Sequence, residues 1–117
     1  MKVLYQSRDL SRAEKAAVFF NQSTNLKDCA GQTIIVSAMV KYEDVNSKGD
    51  NVTIMAFLTD NDEVITTSSG TVMRSFERMV DGLEINLTKE NVPIKIIEGV
   101  SKNGRTYYDV QYDGSVG

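Results

Sequence analysis

The chain has 117 residues, of which 41% are hydrophobic and 25% charged, and its formal net charge is −3. This composition is ordinary for one soluble globular domain. No apolar run approaches the length of about 18 residues that a membrane-spanning helix needs, and the first residues, MKVLYQSRDL, are too weakly apolar for a secretion signal. The single cysteine, Cys29, permits no internal disulfide, so we expect a cytoplasmic protein with no membrane partner.

The charge is unevenly distributed along the chain. Residues 1–29 carry a net charge of +2, residues 30–70 carry −4 and residues 71–117 carry −1. A net negative balance argues against a partner held by bulk charge alone, because nucleic-acid-binding domains are usually basic. A local basic face remains possible, built from the N-terminal arm and the C-terminal hairpin.

Three segments are predicted in chain order. Residues 1–29 form an N-terminal arm, in which residues 2–6 are either a short strand or an arm lying on the barrel, and a short helix, which opens with a capping box at Ser11 and Glu14. Residues 30–113 form the main domain, and residues 114–117 a flexible tail. Within the main domain, alternating hydrophobicity and turn residues predict five strands, at about 33–43, 52–59, 64–68, 94–101 and 105–112. In the first strand the even positions, from Ile34 to Tyr42, form one continuous apolar face.

One strong amphipathic helix lies between the third and fourth predicted strands, over Gly70–Leu83. Its apolar positions follow helical spacing, the hydroxyls of Ser68, Ser69 and Thr71 offer N-caps, and Gly82 stands where a left-handed C-cap is expected. Three strands, a helix and two strands is the order of a five-stranded OB-type barrel. We therefore predict a mainly β fold of this type, with the helix closing one end of the barrel.

Catalytic chemistry is poorly represented in the sequence. There is no histidine, which removes the commonest general base and metal ligand. Cys29 has no histidine to activate it, and the turn containing Asp60, Asp62 and Glu63 lacks the spacing of an EF-hand loop. We expect no enzyme, no cofactor and no metal site. A metal-dependent nuclease using those three carboxylates is the most distant alternative.

A binding surface is the better prediction. Barrels that hold single strands use aromatic side chains to stack bases and basic side chains to contact phosphates. The strand positions opposite the predicted core carry such a mixture, and two turns add lysines, Lys48 and Lys102. Phe57 could instead cover the barrel beneath the N-terminal helix, and Tyr107 could pair across its hairpin. The mixed face comprises Lys41, Met55, Phe57, Lys95, Arg105 and Tyr107.

Three stretches together resemble the small single-stranded DNA-binding proteins of bacteriophages: TIIVSAMVKYEDV, VTIMAFLTDNDEVITTSSGTVMRSFERM and VPIKIIEGVSKNGRTYYDVQY. The likeness covers about residues 30–113 and is one of pattern. It implies an OB fold, sequence-independent binding of single strands, and protection of intermediates in phage DNA replication or recombination inside the host cytoplasm. The residues it implies as contacts are Lys41, Phe57, Lys95, Arg105 and Tyr107. The tail YDGSVG has one acidic residue, Asp113, where many of these proteins have an acidic tail.

Two functions of different classes follow. The first is single-stranded DNA binding through Lys41, Phe57, Lys95, Lys102, Arg105 and Tyr107, with a homodimer and replication proteins as possible partners. The second is a small protein-binding module, such as a phage factor that docks on a host protein. The acidic segment 30–70 favours this alternative, because an acidic surface suits a basic protein partner.

Overall fold

The structure is a computed structural model that describes residues 1–116. One seven-stranded sheet, strongly curled into a half-barrel, carries two helices. The elements in chain order are β1 (Lys2–Gln6), α1 (Arg12–Phe19), β2 (Thr24–Asn25), a 3-10 helix (Leu26–Cys29), β3 (Thr33–Val45), β4 (Asn51–Thr59), β5 (Val64–Thr67), α2 (Gly70–Gly82), β6 (Val92–Val100) and β7 (Thr106–Tyr112).

The strands are arranged in the order β2-β5-β4-β3-β6-β7, with β1 attached to β3. The long strand β3 pairs with β4 on one side, and on the other side with β6 near its start and with β1 near its end. All five predicted strands are confirmed to within two residues. The predicted count of five is wrong, because residues 1–29 contribute two further strands, β1 and β2.

A bulge at Ser37 divides β3 into two halves. Even-numbered residues face one side of the sheet before the bulge and the other side after it. Val36 pairs with Thr59 and Ala38 with Leu58, so Ser37 is one extra residue on β3. An extra residue reverses which side chains face each side of the sheet. The predicted continuous apolar face from Ile34 to Tyr42 is therefore wrong, since Ile34 and Tyr42 lie in different cores.

The inner face of the sheet packs against α2. Its buried side chains include the Phe57–Phe76 pair, whose ring centroids are 4.9 Å apart. Residues from every strand from β3 to β7 and from the 3-10 helix join this inner core. Its buried members are Leu26, Cys29, Ile34, Val36, Met39, Met55, Phe57, Ile65, Val72, Met73, Phe76, Leu87, Val92, Ile94, Ile96 and Val110.

The outer face of β3, β4 and β5 packs against α1 through a second core. Val18 is the buried residue of α1, and Phe19 meets Tyr42 edge to face at 5.3 Å. Arg8 fastens this layer, because its guanidinium bonds both Glu14 and the carbonyl of Ser37 at the bulge. The buried members of this outer core are Leu10, Val18, Ala38, Val40, Tyr42, Ala56, Leu58 and Val64.

The structure confirms the predicted starts of both helices but not the predicted end of the second helix. Ser11 and Glu14 form the predicted capping box, and Ser69 accepts a bond from the amide of Val72. The predicted C-cap at Gly82 is wrong, because Gly82 is still helical and the left-handed residue is Glu84, with φ of 54°.

Within residues 1–116 no helix combines the length and apolarity needed to cross a membrane. The predicted tail, 114–117, extends to residue 117, which lies outside the described residues.

Candidate nucleic-acid interface

The β6–β7 hairpin has two distinct faces, set by its register. Directly opposed residues share a face in an antiparallel pair. Ile96 opposes Val110, and both are buried in the inner core. The intervening pairs, Lys95 with Gln111, Ile97 with Asp109 and Gly99 with Tyr107, must therefore face outward, away from α2. We call this second side the hairpin outer face.

Three of the six predicted contacts share the hairpin outer face. Lys95 and Tyr107 are exposed members of it, and Arg105 extends it, because its carbonyl accepts a bond from the Ser101 amide at 2.8 Å. Lys102 is exposed in the turn between the strands. Gly104 closes this turn with φ of 76°, a conformation that glycine adopts without a steric penalty. The structure thus brings Lys95, Lys102, Arg105 and Tyr107 together on one hairpin.

Tyr107 lies across Gly99 on the neighbouring strand. A Cβ atom placed on Gly99 would come within 2.7 Å of Cε1, Cζ and Oη of Tyr107, so the ring occupies the space that a side chain would fill. Tyr107 nevertheless remains 46% exposed. An aromatic ring that covers a cross-strand glycine gains packing area while it keeps one surface open. This arrangement presents the ring as a platform.

The acidic residues nearest this face are few. Asp109 lies on the face itself, and Asp113 stands at its end, where Thr33 donates a hydrogen bond to it. Hydrogen bonds from Ser115 and Thr33, with the nearby positive charge of Lys95, hold the pKa of Asp113 below its usual value. The hairpin outer face therefore carries two basic side chains, Lys95 and Arg105, beside these two carboxylates, and Lys102 adds a third basic side chain in the turn.

Lys41 does not join these residues. It opposes Met55, a fully buried residue, and so lies on the inner face of the sheet beside α2. Its Nζ pairs with Oε1 of Glu77 at 2.8 Å. The prediction that Lys41 shares a face with Lys95 is wrong, because the Ser37 bulge reverses the facing of β3 between the two positions.

Phe57 is not at the surface at all. It opposes Met39, packs on Phe76 and has no exposed area. The prediction that Phe57 lies on a non-core face is wrong, since both faces of β4 are covered, one by α2 and the other by α1. Alternation identifies two faces of a strand but cannot say that both are buried.

The acidic segment 30–70 does not form one surface. Glu43, Asp44 and Asp50 lie near one end of β4, and Asp60, Asp62 and Glu63 lie in the turn at its other end, separated by about 30 Å of extended strand. Within residues 1–116 no group of three potential ligands converges on a metal-sized site, and this includes the turn with Asp60, Asp62 and Glu63. Cys29 is buried, and burial raises the pKa of its thiol.

The sequence analysis did not identify Gly99, the residue against which the ring of Tyr107 packs. The three-residue loop closed by Gly104 pairs Ser101 with Arg105 and, two residues further, Gly99 with Tyr107. Counting back from a two-residue Asn103-Gly104 turn would instead pair Val100 with Tyr107, so the sequence alone did not identify Gly99.

Comparisons with known proteins add no relative. The chain matches no protein-family model, and searches of curated proteins and of solved structures found no similar protein.

Proposed function

We propose that this protein binds single-stranded DNA without sequence preference, through the hairpin outer face and the β6–β7 turn. The observation that carries the proposal is the position of Tyr107, an open aromatic platform with Lys95, Lys102 and Arg105 on the same hairpin. Stacking on such a ring contributes about 1–3 kcal/mol per base and accepts any base. The basic side chains would contact phosphates on either side of the stacked base.

The strand order supports assignment to an OB-type barrel. The strands β6, β3, β4 and β5 lie side by side in the spatial order 4-1-2-3 of a Greek key, with α2 between the third and fourth. The fifth strand, β7, then continues the sheet beyond β6. OB barrels are partly open Greek-key barrels, and nucleic acid reaches them along strands 2–3 and the 1–2 and 4–5 loops.

The β3–β4 and β6–β7 turns of this chain correspond to the 1–2 and 4–5 loops, and each carries at least one exposed basic side chain. The β3–β4 turn carries Lys48, and the β6–β7 turn carries Lys102 and Arg105. The outer face of β4 and β5, in contrast, is covered by α1, which buries Ala56 and Leu58. We therefore propose that the single-stranded DNA lies on the β6–β7 side of the sheet rather than across β4 and β5.

A net charge of −3 is compatible with this proposal. Most carboxylates lie away from the hairpin outer face, and stacking needs no positive charge. Charge screening acts over about 10 Å at 0.1 M salt, so a local basic surface can act independently of distant acidic turns.

The proposal is tested by fluorescence anisotropy of a labelled oligo-dT titrated with protein at low and moderate salt. We expect binding at micromolar concentration or tighter, weaker binding to a duplex of the same length, and loss of affinity with salt. No binding at low salt, or a preference for the duplex, would overturn the proposal.

A further inference from the structure

A groove lies on the inner side of the molecule, between β1 and the C-terminal half of α2. Its volume is about 830 Å³. The segment 84–88, which follows α2, forms its end, and the lining is largely apolar. The apolar lining residues are Leu4, Met39, Phe76, Val80, Ile85 and Leu87.

One side of this β1–α2 groove is a strand with a free edge. Within the described residues β1 pairs only with β3, so the backbone groups along its other edge have no strand partner. Val3, Leu4 and Tyr5 are between 43% and 51% exposed, although they lie in a strand. Free strand edges with apolar side chains readily accept a further strand. An extended segment paired with this edge would direct alternate side chains over the groove.

The other side of the groove is acidic. Glu77, Asp81 and Glu84 line it and are exposed, whereas its single basic residue, Lys41, is already paired with Glu77. Among residues 1–116, Asp81 and Glu84 form no ion pair.

The end of α2 adds to this negative potential. A helix C-terminus carries partial negative charge and is normally stabilised by basic side chains. The last turn of α2 has none and contains Asp81 instead. Phosphates are repelled by such a rim, so this groove is distinct from the proposed nucleic-acid interface.

We propose that the β1–α2 groove binds an extended segment of a partner protein whose groove-facing side chains, at every second position, are apolar and basic in turn. The segment adds a strand to β1, its apolar side chains fill the groove above Met39 and Phe76, and its lysine or arginine side chains meet Asp81 and Glu84. A second copy of this chain fits less well, because β1 offers Lys2 as its only basic side chain. This site is independent of nucleic-acid binding, so either proposal can fail alone.

The test uses the full chain and two blocked eight-residue peptides, one with the repeat valine-serine-lysine-serine and the other with the repeat valine-serine-glutamate-serine. Amide shifts and amide exchange are followed by NMR during each titration. We expect the lysine peptide to bind at least tenfold more tightly, to shift amides of residues 77–88 and to slow exchange in β1. Equal binding of the two peptides, or binding without slowed exchange in β1, would overturn the proposal.

A matched pair of double variants checks the position of the site. Asp81→Lys with Glu84→Lys reverses the groove rim, and Asp60→Lys with Glu90→Lys makes the same charge change at exposed positions outside the groove lining. We expect the affinity for the lysine peptide to fall by at least tenfold more in the first variant than in the second. Equal losses would mean that net charge alone attracts the peptide. A dimer of twice the 13.0 kDa chain mass that protects β1 amides would assign the groove to a second copy.

Discussion

The ring of Tyr107 rests on Gly99 of the neighbouring strand, and this contact determines how the tyrosine is displayed. Without a Cβ atom at Gly99 the ring lies against the backbone, yet 46% of the residue remains exposed. A side chain held in this way loses less conformational freedom when a base stacks on it than a free side chain would. The pair therefore supplies a preorganised stacking surface.

Replacing Tyr107 by alanine should weaken oligo-dT binding by about 5- to 150-fold, which corresponds to the 1–3 kcal/mol that stacking of one base contributes. Tyr107→Phe should retain most of the affinity, because the ring is what stacks. The matched control is Tyr112→Ala, since Tyr112 lies on the same strand with the same 46% exposure but on the opposite face. Equal losses for the two alanine variants would remove Tyr107 from the binding surface.

Gly99→Ala should lower affinity by about fivefold, the lower end of the stacking range, because the new methyl group displaces the ring. The thermal midpoint should change little, since the displaced atoms are the far end of a side chain that can swing into solvent. The coupling is measured with a double-mutant cycle. In a Tyr107→Ala background, Gly99→Ala should have no further effect on binding, and an undiminished effect would show that Gly99 acts without the ring.

The elements of this fold could be predicted from sequence because their signals are local. The capping box at Ser11 and the Asn103-Gly104 turn identified a helix start and a hairpin correctly. The facing of the side chains could not be predicted in the same way. One extra residue at Ser37 reverses β3, and nothing in the residues around it marks the bulge.

The burial of Phe57 also could not be predicted from the sequence. Whether a strand is covered on one side or both depends on where distant helices pack, and α1 and α2 lie about 40 residues before and 20 residues after Phe57 in the chain. Lys95, Lys102, Arg105 and Tyr107 lie close together, as the sequence predicts, because one hairpin holds all four. Lys41 was misplaced because its facing depends on the bulge.

The basic residues of the hairpin should each contribute to the salt dependence of binding. For single strands the slope of log K against log salt changes by about 0.7 for each phosphate contact. Lys95→Ala, Lys102→Ala and Arg105→Ala should each make the slope shallower by about this amount, as measured by anisotropy at four or more salt concentrations. Lys41→Ala is the control, because Lys41 lies on the inner face in an ion pair with Glu77. If the slope changed only for Lys41→Ala, the DNA would bind on the inner face of the sheet, where Lys41 lies, and not on the hairpin outer face.

Phe57→Ala should destabilise the protein by about 3–5 kcal/mol, because it leaves a cavity beside Phe76 in the inner core. Urea unfolding at neutral pH measures this change, and Phe57→Leu should cost much less because it keeps most of the volume. If Phe57→Ala left the unfolding midpoint unchanged and abolished oligo-dT binding instead, Phe57 would be a surface contact after all.

Acid should remove the stabilisation that Glu14 gives to the α1 layer. Hydrogen bonds from Arg8 and from the Ser11 amide lower the pKa of Glu14 from 4.5 to about 2. A carboxyl whose pKa is lower in the folded state stabilises fully above its unfolded pKa, and this contribution disappears as the pH falls from about 4.5 towards 2.

Glu14→Gln keeps an acceptor for the capping box but loses the charge. Urea unfolding near pH 7 should therefore show the native protein to be more stable than Glu14→Gln by about 1 kcal/mol, the upper range for a partly exposed ion pair. Near pH 2 the difference should be much smaller. Glu90→Gln, an exposed carboxyl without an ion pair among the described residues, should show no difference at either pH. A difference for Glu14→Gln that persists undiminished in acid would mean that the shape of the side chain, and not its charge, supports the helix.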